Sequence, residues 1–180
     1  TERPPRSEYA QFHAGYVAAA PEGDILATLE REGERALAFF RAVPPAKVHG
    51  AYAPGKWTVA EVLSHIADSE RVFAYRALRF GRGDATALPG FDQEVWVPRS
   101  HANERAWSDL LDELHAVRAS SLHVFRSFAP DDWLRIGEAS GARVSARALA
   151  WVVAGHELHH RRILIERYGL EPPAGSPRSR

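Results

Sequence analysis

Apolar residues recur along this chain at intervals of three and four, and that spacing predicts four long amphipathic helices. The first runs from about Asp24 to Val43, with Ile25, Leu29, Ala36, Leu37 and Phe40 on one face and Pro44-Pro45 as its stop. The second opens at Thr58-Val59-Ala60-Glu61, a capping box in which the Thr hydroxyl and the Glu carboxylate satisfy each other's free backbone amides. Its inward stripe is Val62, Ile66, Ser69, Phe73, Ala77 and Phe80, and Gly81 is placed to end it. The third spans about Ala102 to Phe128, with Trp107, Leu110, Leu114, Val117, Val124 and Phe128 inward and Pro130 as the break. The fourth runs from Ser145 to Tyr168, with Gly169 as a C-terminal stop. No segment alternates as a strand would, so the expected fold is an all-α four-helix bundle.

The connection between the second and third helices, Arg82 to Ser100, is long and carries Pro89, Phe91, Trp96 and Pro98. Such a stretch serves as a lid, a pocket wall or a crossover. The whole chain, 180 residues with 45% hydrophobic and 26% charged, suits one domain over 1–180 with loose Pro-, Ser- and Arg-rich tails at about 1–10 and 172–180.

Lys plus Arg equal Asp plus Glu at 23 each, and no basic block interleaves with aromatics, so neither nucleic acid nor an anionic membrane is the expected partner. The absence of cysteine excludes disulfides, Cys-ligated zinc and a thiol nucleophile from the chain itself. The start TERPPRSEYA lacks an apolar signal core, and no stretch approaches the roughly 18 apolar residues of a membrane span, so the expected location is the cytoplasm.

The fourth helix interrupts its own apolar face with chemistry. Leu149, Val152, Val153, His156, His160 and Ile163 share one stripe, which places two imidazoles where leucines belong. Residues four apart on a helix can turn both rings toward one point and offer a divalent ion two nitrogens. His65 points at or near the same interior from the second helix and supplies the candidate third ligand. The run His156-Glu157-Leu158-His159-His160 also spells H-E-x-x-H, which would make Glu157 the base of a zinc protease. The rest of the chain argues against it, because the extended motif would need Gly at Ile163 and His at Glu166. Glu157 and His160 form one E-x-x-H half-motif of a di-iron site, with no second copy, so a single ion is expected. His159 is read as a flank residue, while His13, His49, His101, His115 and His123 need no function.

Three segments, APGKWTVAEVLSHIADSERVFAYRALRFGRGD (Ala53 to Asp84), LPGFDQ (Leu88 to Gln93) and SARALAWVVAGHELHHRRIL (Ser145 to Leu164), closely resemble the DinB superfamily of damage-inducible four-helix-bundle metalloproteins. The resemblance implies a bundle with a long crossover between its second and third helices and one divalent ion held by His65, His156 and His160, and its members are frequently homodimers. It also implies metal-assisted chemistry on a small-molecule substrate, as a thiol S-transferase using a low-molecular-weight thiol co-substrate or as a hydrolase. The alternative is a non-catalytic metal-binding bundle, a sensor or sequestration protein. Zn, Ni, Mn and Fe all suit nitrogen donors. Around the ligands, Glu61 and Asp68 flank His65, Arg76 could meet a buried carboxylate or a substrate anion, and Asp92 and Gln93 lie in the long connection. Trp57, Trp96 and Trp151 are read as core or loop anchors.

Overall fold

The computed structural model describes residues 1–172. In chain order the elements are α1 (Ala14–Ala19), α2 (Ile25–Arg41), α3 (Val59–Gly81), α4 (Gln93–Trp96), α5 (Trp107–Arg126), α6 (Pro130–Leu134), β1 (Ile136–Ala139), β2 (Ala142–Ser145) and α7 (Ala146–Tyr168). The four long helices α2, α3, α5 and α7 form a bundle, and none of the described helices is long and apolar enough to cross a membrane. Their starts carry the expected caps. Asp24 accepts from the Ala27 amide at 2.9 Å, Ser145 accepts from Ala148 at 3.0 Å, and Thr58 and Glu61 close a complete capping box. Gly169, at φ 61°, ends α7 in the left-handed conformation that glycine adopts without a Cβ penalty.

Cross-helix contacts give the directions. Thr58 meets Asn103, Glu70 meets Arg118 and Arg82 meets Ser127, so α3 and α5 run parallel. His65 meets His156 and the Tyr168 hydroxyl donates to the Trp57 carbonyl, so α3 and α7 are antiparallel. Each long helix has two long neighbours: α3 packs on α7 and α5, and α2 on α5 and α7. Because α3 and α5 are parallel neighbours, the chain leaving Gly81 must return along the length of a 23-residue helix, roughly 34 Å, before α5 begins. The long connection is therefore a crossover. Within it Asp92 caps the short α4.

Four expectations are corrected. The chain does form strands: β1 and β2 make a hairpin closed by Ser140 and Gly141, both at positive φ as a tight two-residue turn requires. Its register hides only small residues beside Val144, and Gly137 is present because a Cβ there would run into the Phe80 ring. The third long helix starts at Trp107 rather than Ala102, since Ala106 is extended and Ala102–Glu104 forms a separate 3-10 turn; Trp107 and Val124 are half-buried. An additional short helix, α1, precedes the bundle. Residues 1–10, expected to be loose, are docked on α7: the Arg3 guanidinium lies 4.5 Å over the Trp151 ring and donates to the Ala20 carbonyl at 2.7 Å, and Glu8 accepts from Ser145 and Arg147. The C-terminal tail from 173 to 180 lies outside the described residues.

The bundle interior also holds charge. Arg118 of α5 binds the Glu70 carboxylate of α3 through both Nε (2.8 Å) and Nη2 (2.9 Å), and its Nη1 donates to the Leu29 carbonyl of α2. Gly33 leaves room for that side chain. Nearby, Glu32 accepts from Arg161 of α7 at 2.7 Å and from Arg35 at 2.8 Å.

One contact sets where α1 lies. It crosses α7 at Gly155, where a Cβ would overlap the Tyr16 carbonyl. Gly155→Ala is expected to destabilise the protein by about 1–3 kcal/mol, as overpacking a close contact does, and to loosen the segment around Tyr16. Denaturant unfolding and hydrogen exchange of residues 12–20 check this; an unchanged midpoint would refute the close approach.

Candidate metal centre

His65 belongs to the inward stripe of α3, and His156 and His160 to that of α7. The antiparallel crossing of the two helices brings the three rings together. His156 Nε2 lies 3.1 Å from His65 Nε2 and 3.1 Å from His160 Nε2, and the three candidate donor atoms all fall within 4.8 Å of one another. Ligand nitrogens at roughly 2.0–2.1 Å from one tetrahedral ion would stand roughly 3.3 Å apart, close to the spacing found. Without an ion the arrangement is poorly satisfied. His156 Nε2 faces two other ring nitrogens, yet in a neutral imidazole that one atom carries either an N–H or a lone pair, not both. These donors fit a divalent metal ion.

Electrostatics favour the same state. Burial alone holds the pKa of His65 down to about 4, and burial with the neighbouring imidazoles holds those of His156 and His160 well below 6.5. All three rings are thus neutral near pH 7 and present lone pairs. Aromatic rings enclose them: Trp57 stands 4.9 Å from His65, Tyr16 5.2 Å and Phe73 5.7 Å from His156. Ser69 Oγ lies 3.5 Å from His65 Nδ1, at the edge of hydrogen-bond reach.

The other candidates lie elsewhere. Glu61 is engaged at the helix start, accepting from the Thr58 amide at 2.8 Å. Asp68 pairs with Arg71 at 3.1 Å, and burial raises its pKa against that guanidinium. Asp92 is exposed and caps α4, and Gln93 beside it is exposed as well. Arg76 donates to the Pro89 carbonyl at 2.8 Å and to Ser140 Oγ at 2.9 Å rather than to a carboxylate. His159 is half-buried, packed edge-on to Tyr16 and His160, and contributes no nitrogen to the cluster. Glu157 turns to the buried charges instead: Arg161 Nε is 3.4 Å away, neither carboxylate oxygen has a hydrogen bond among the described residues, and burial pushes its pKa up to about 7 against the pull of Arg161 and Arg118. Enclosed beside Arg161 and outside the histidine cluster, Glu157 does not suit the role of water-activating base that H-E-x-x-H would give it.

The sequence reading passed over the N-terminal contribution. Tyr16 packs on His156 and His159, and His13, expected to need no function, is 4% exposed with an Nδ1 that has no partner among the described residues. The only trace of this in the sequence is the four-residue spacing of His13 and Val17, both buried; six helical residues are too few for periodicity to register.

Two outcomes follow from this geometry. His65→Ala, His156→Ala and His160→Ala are each expected to lower bound metal measured by elemental analysis, whereas His159→Ala leaves it close to wild type; full retention in His65→Ala would sink the three-nitrogen cluster. The second concerns the metal-free protein. His13, His65, His156 and His160 bind protons less readily folded than unfolded, so their contribution is complete above pH 6.5 and is lost as pH falls toward 4. Glu157 acts oppositely between 4.5 and about 7, and Asp68, also raised by burial, acts with it, but these two acids stand against four histidines. The melting temperature should therefore drop between pH 6.5 and 4.5, and a flat or rising profile would contradict the neutral buried rings.

The sequence profile of the DinB superfamily matches residues 28–164. Among solved structures, YfiT from Bacillus subtilis, described as a probable metal-dependent hydrolase with an unusual four-helix bundle topology, superposes with a TM-score of 0.68 at 17% identity, covering 94% of this chain and 95% of that one. A DinB-like protein from Bacillus subtilis, YjoA, gives 0.59 at 16% identity over 87% of this chain and 100% of that one. At these identities the structures share the fold. No curated protein matches in sequence. With the profile matching most of its length, on a bundle whose crossover and inward histidines were already evident, the chain belongs to the DinB superfamily.

Proposed function

We propose that this protein is a metal-dependent hydrolase acting on a small molecule, with a single divalent ion held by His65, His156 and His160. The observation that carries the reading is the convergence of three neutral Nε2 atoms from two rigid helices. The description of YfiT as a probable metal-dependent hydrolase points the same way.

Three protein ligands leave room for a fourth partner, the arrangement of catalytic rather than closed structural sites. When bound there, a divalent ion supplies Lewis acidity and lowers the pKa of a coordinated water. The chain's own residues do the rest. Burial keeps the imidazoles deprotonated, and the Trp57, Tyr16 and Phe73 rings limit water around them and fix their orientation. His159, half-buried beside His160, is the titratable group placed to pass a proton between the centre and solvent. Nitrogen donors accommodate Zn, Ni, Mn or Fe, and availability selects among them.

The test is hydrolysis of model esters and amides by protein reconstituted with each metal in turn. Cleavage by at least one form, absent from the metal-free protein and reduced at least about a hundredfold in His156→Ala, is the expected outcome. Conjugation of low-molecular-weight thiols to a bimane electrophile, without ester or amide cleavage, would replace hydrolysis by thiol transfer. Inactivity in every metal form would leave a metal-binding bundle without catalysis.

A further inference from the structure

The inward face of α3 continues past the metal centre. His65, Ser69, Phe73 and Arg76 follow at intervals of four, four and three, so they share one stripe, and all are buried. Arg76 is only 4% exposed, yet no carboxylate among the described residues lies within ion-pair distance of it. Buried guanidinium groups are ordinarily matched by an acid, as Arg118 is by Glu70 in this same bundle. Arg76 Nη2 donates only to two neutral oxygens, Pro89 O and Ser140 Oγ, and Nε and Nη1 have no partner among the described residues. Among the described residues its charge meets no acid, and part of its donor fork is unused.

A second unpartnered group stands close by. His13 is 4% exposed, its Nδ1 has no hydrogen bond, and burial, followed by the Arg76 charge, holds its pKa down to about 4. Its ring lies 6.3 Å from Phe73, and Phe73 lies 5.7 Å from His156, so one aromatic ring separates His13 from the metal centre, and Phe73 shares its helix stripe with Arg76 three residues on. On the other side, Arg76 packs over Phe91 of the crossover at 5.8 Å.

We propose that Arg76 and His13 form an anion subsite that receives the carboxylate of the substrate, the remainder of which passes Phe73 to reach the metal centre. A guanidinium fork and one neutral imidazole match a planar monoanion, whereas a phosphate dianion would ordinarily gather more than one cation. The aromatic surroundings suit an apolar or aromatic body, so the substrate class is a small apolar or aromatic carboxylic acid carrying a hydrolysable group. The substrate assignment rests on the hydrolase reading; anion binding itself does not.

The experiment is calorimetric titration of the metal-free full chain with benzoate and with benzamide, which match in shape and differ in charge. Benzoate should bind and benzamide should bind at least about tenfold more weakly, with Arg76→Gln weakening benzoate by a similar factor. Ser140→Ala removes a contact of Arg76 while leaving its charge, and should keep benzoate affinity within about twofold of wild type. His13→Phe, which keeps an aromatic ring and removes both nitrogens, should weaken benzoate about fivefold and serves if Arg76→Gln does not fold. Equal affinity for benzoate and benzamide, wild-type affinity in Arg76→Gln or in His13→Phe, or an equal loss in Ser140→Ala would each overturn the subsite and reduce Arg76 to a tie between the crossover and the hairpin turn. Because no metal is present, these results are independent of whether the reconstituted protein hydrolyses esters.

Discussion

Three imidazoles taken out of water at one helix crossing are the constraint on which the rest of the structure depends. Buried rings must be neutral, and neutral rings need partners. Here His156 Nε2 faces the Nε2 atoms of the other two at 3.1 Å, an arrangement that suits a shared cation better than mutual hydrogen bonds. Holding three nitrogens at one point requires α3 and α7 to meet in a definite register, which in turn requires both helices to be stiff and well anchored. The caps at Thr58 and Ser145 fix their starts, and Tyr168 bonding the Trp57 carbonyl ties the end of one to the start of the other.

The buried ion pairs serve the same register from the other side of the bundle. Glu70 follows His65 by five residues on α3 and is held by Arg118 of α5; Arg161 follows His160 on α7 and is held by Glu32 of α2. Each helix that carries a ligand is thus tied to a helix that carries none. Such pairs add little net stability over apolar packing, but a shifted register would strand a charge in the interior, at a cost of several kcal/mol. Glu157, enclosed among these charges without a hydrogen bond, meets that demand by holding its proton up to about pH 7.

The N-terminal segment closes the remaining face. It is held at one end by Arg3 over Trp151 and Glu8 on Arg147 of α7, and at the other by the approach of Tyr16 to Gly155, the residue before His156. Only a residue without a side chain permits that approach, and it delivers Tyr16 and His13 to the surroundings of the centre.

The sequence by itself determined the four long helices, because each carries a stripe long enough to outlast noise in its spacing and a cap whose chemistry is local. It also determined that His65, His156 and His160 point inward, since helical phase alone places them. Only the tertiary structure decided that α3 and α5 run parallel, for nothing local records the direction of a neighbour; the long crossover was legible as a length, not as a path. The hairpin escaped notice because small residues and a glycine leave its alternation faint, and its turn depends on two positive φ angles that Ser140 does not advertise. The burial of His13, the half-burial of Tyr16 and the burial of an Arg76 that meets no acid among the described residues were equally illegible in the sequence. Their burial comes from segments far apart in the chain closing over one another, and burial is what turns an ordinary polar residue into one whose partner must be found.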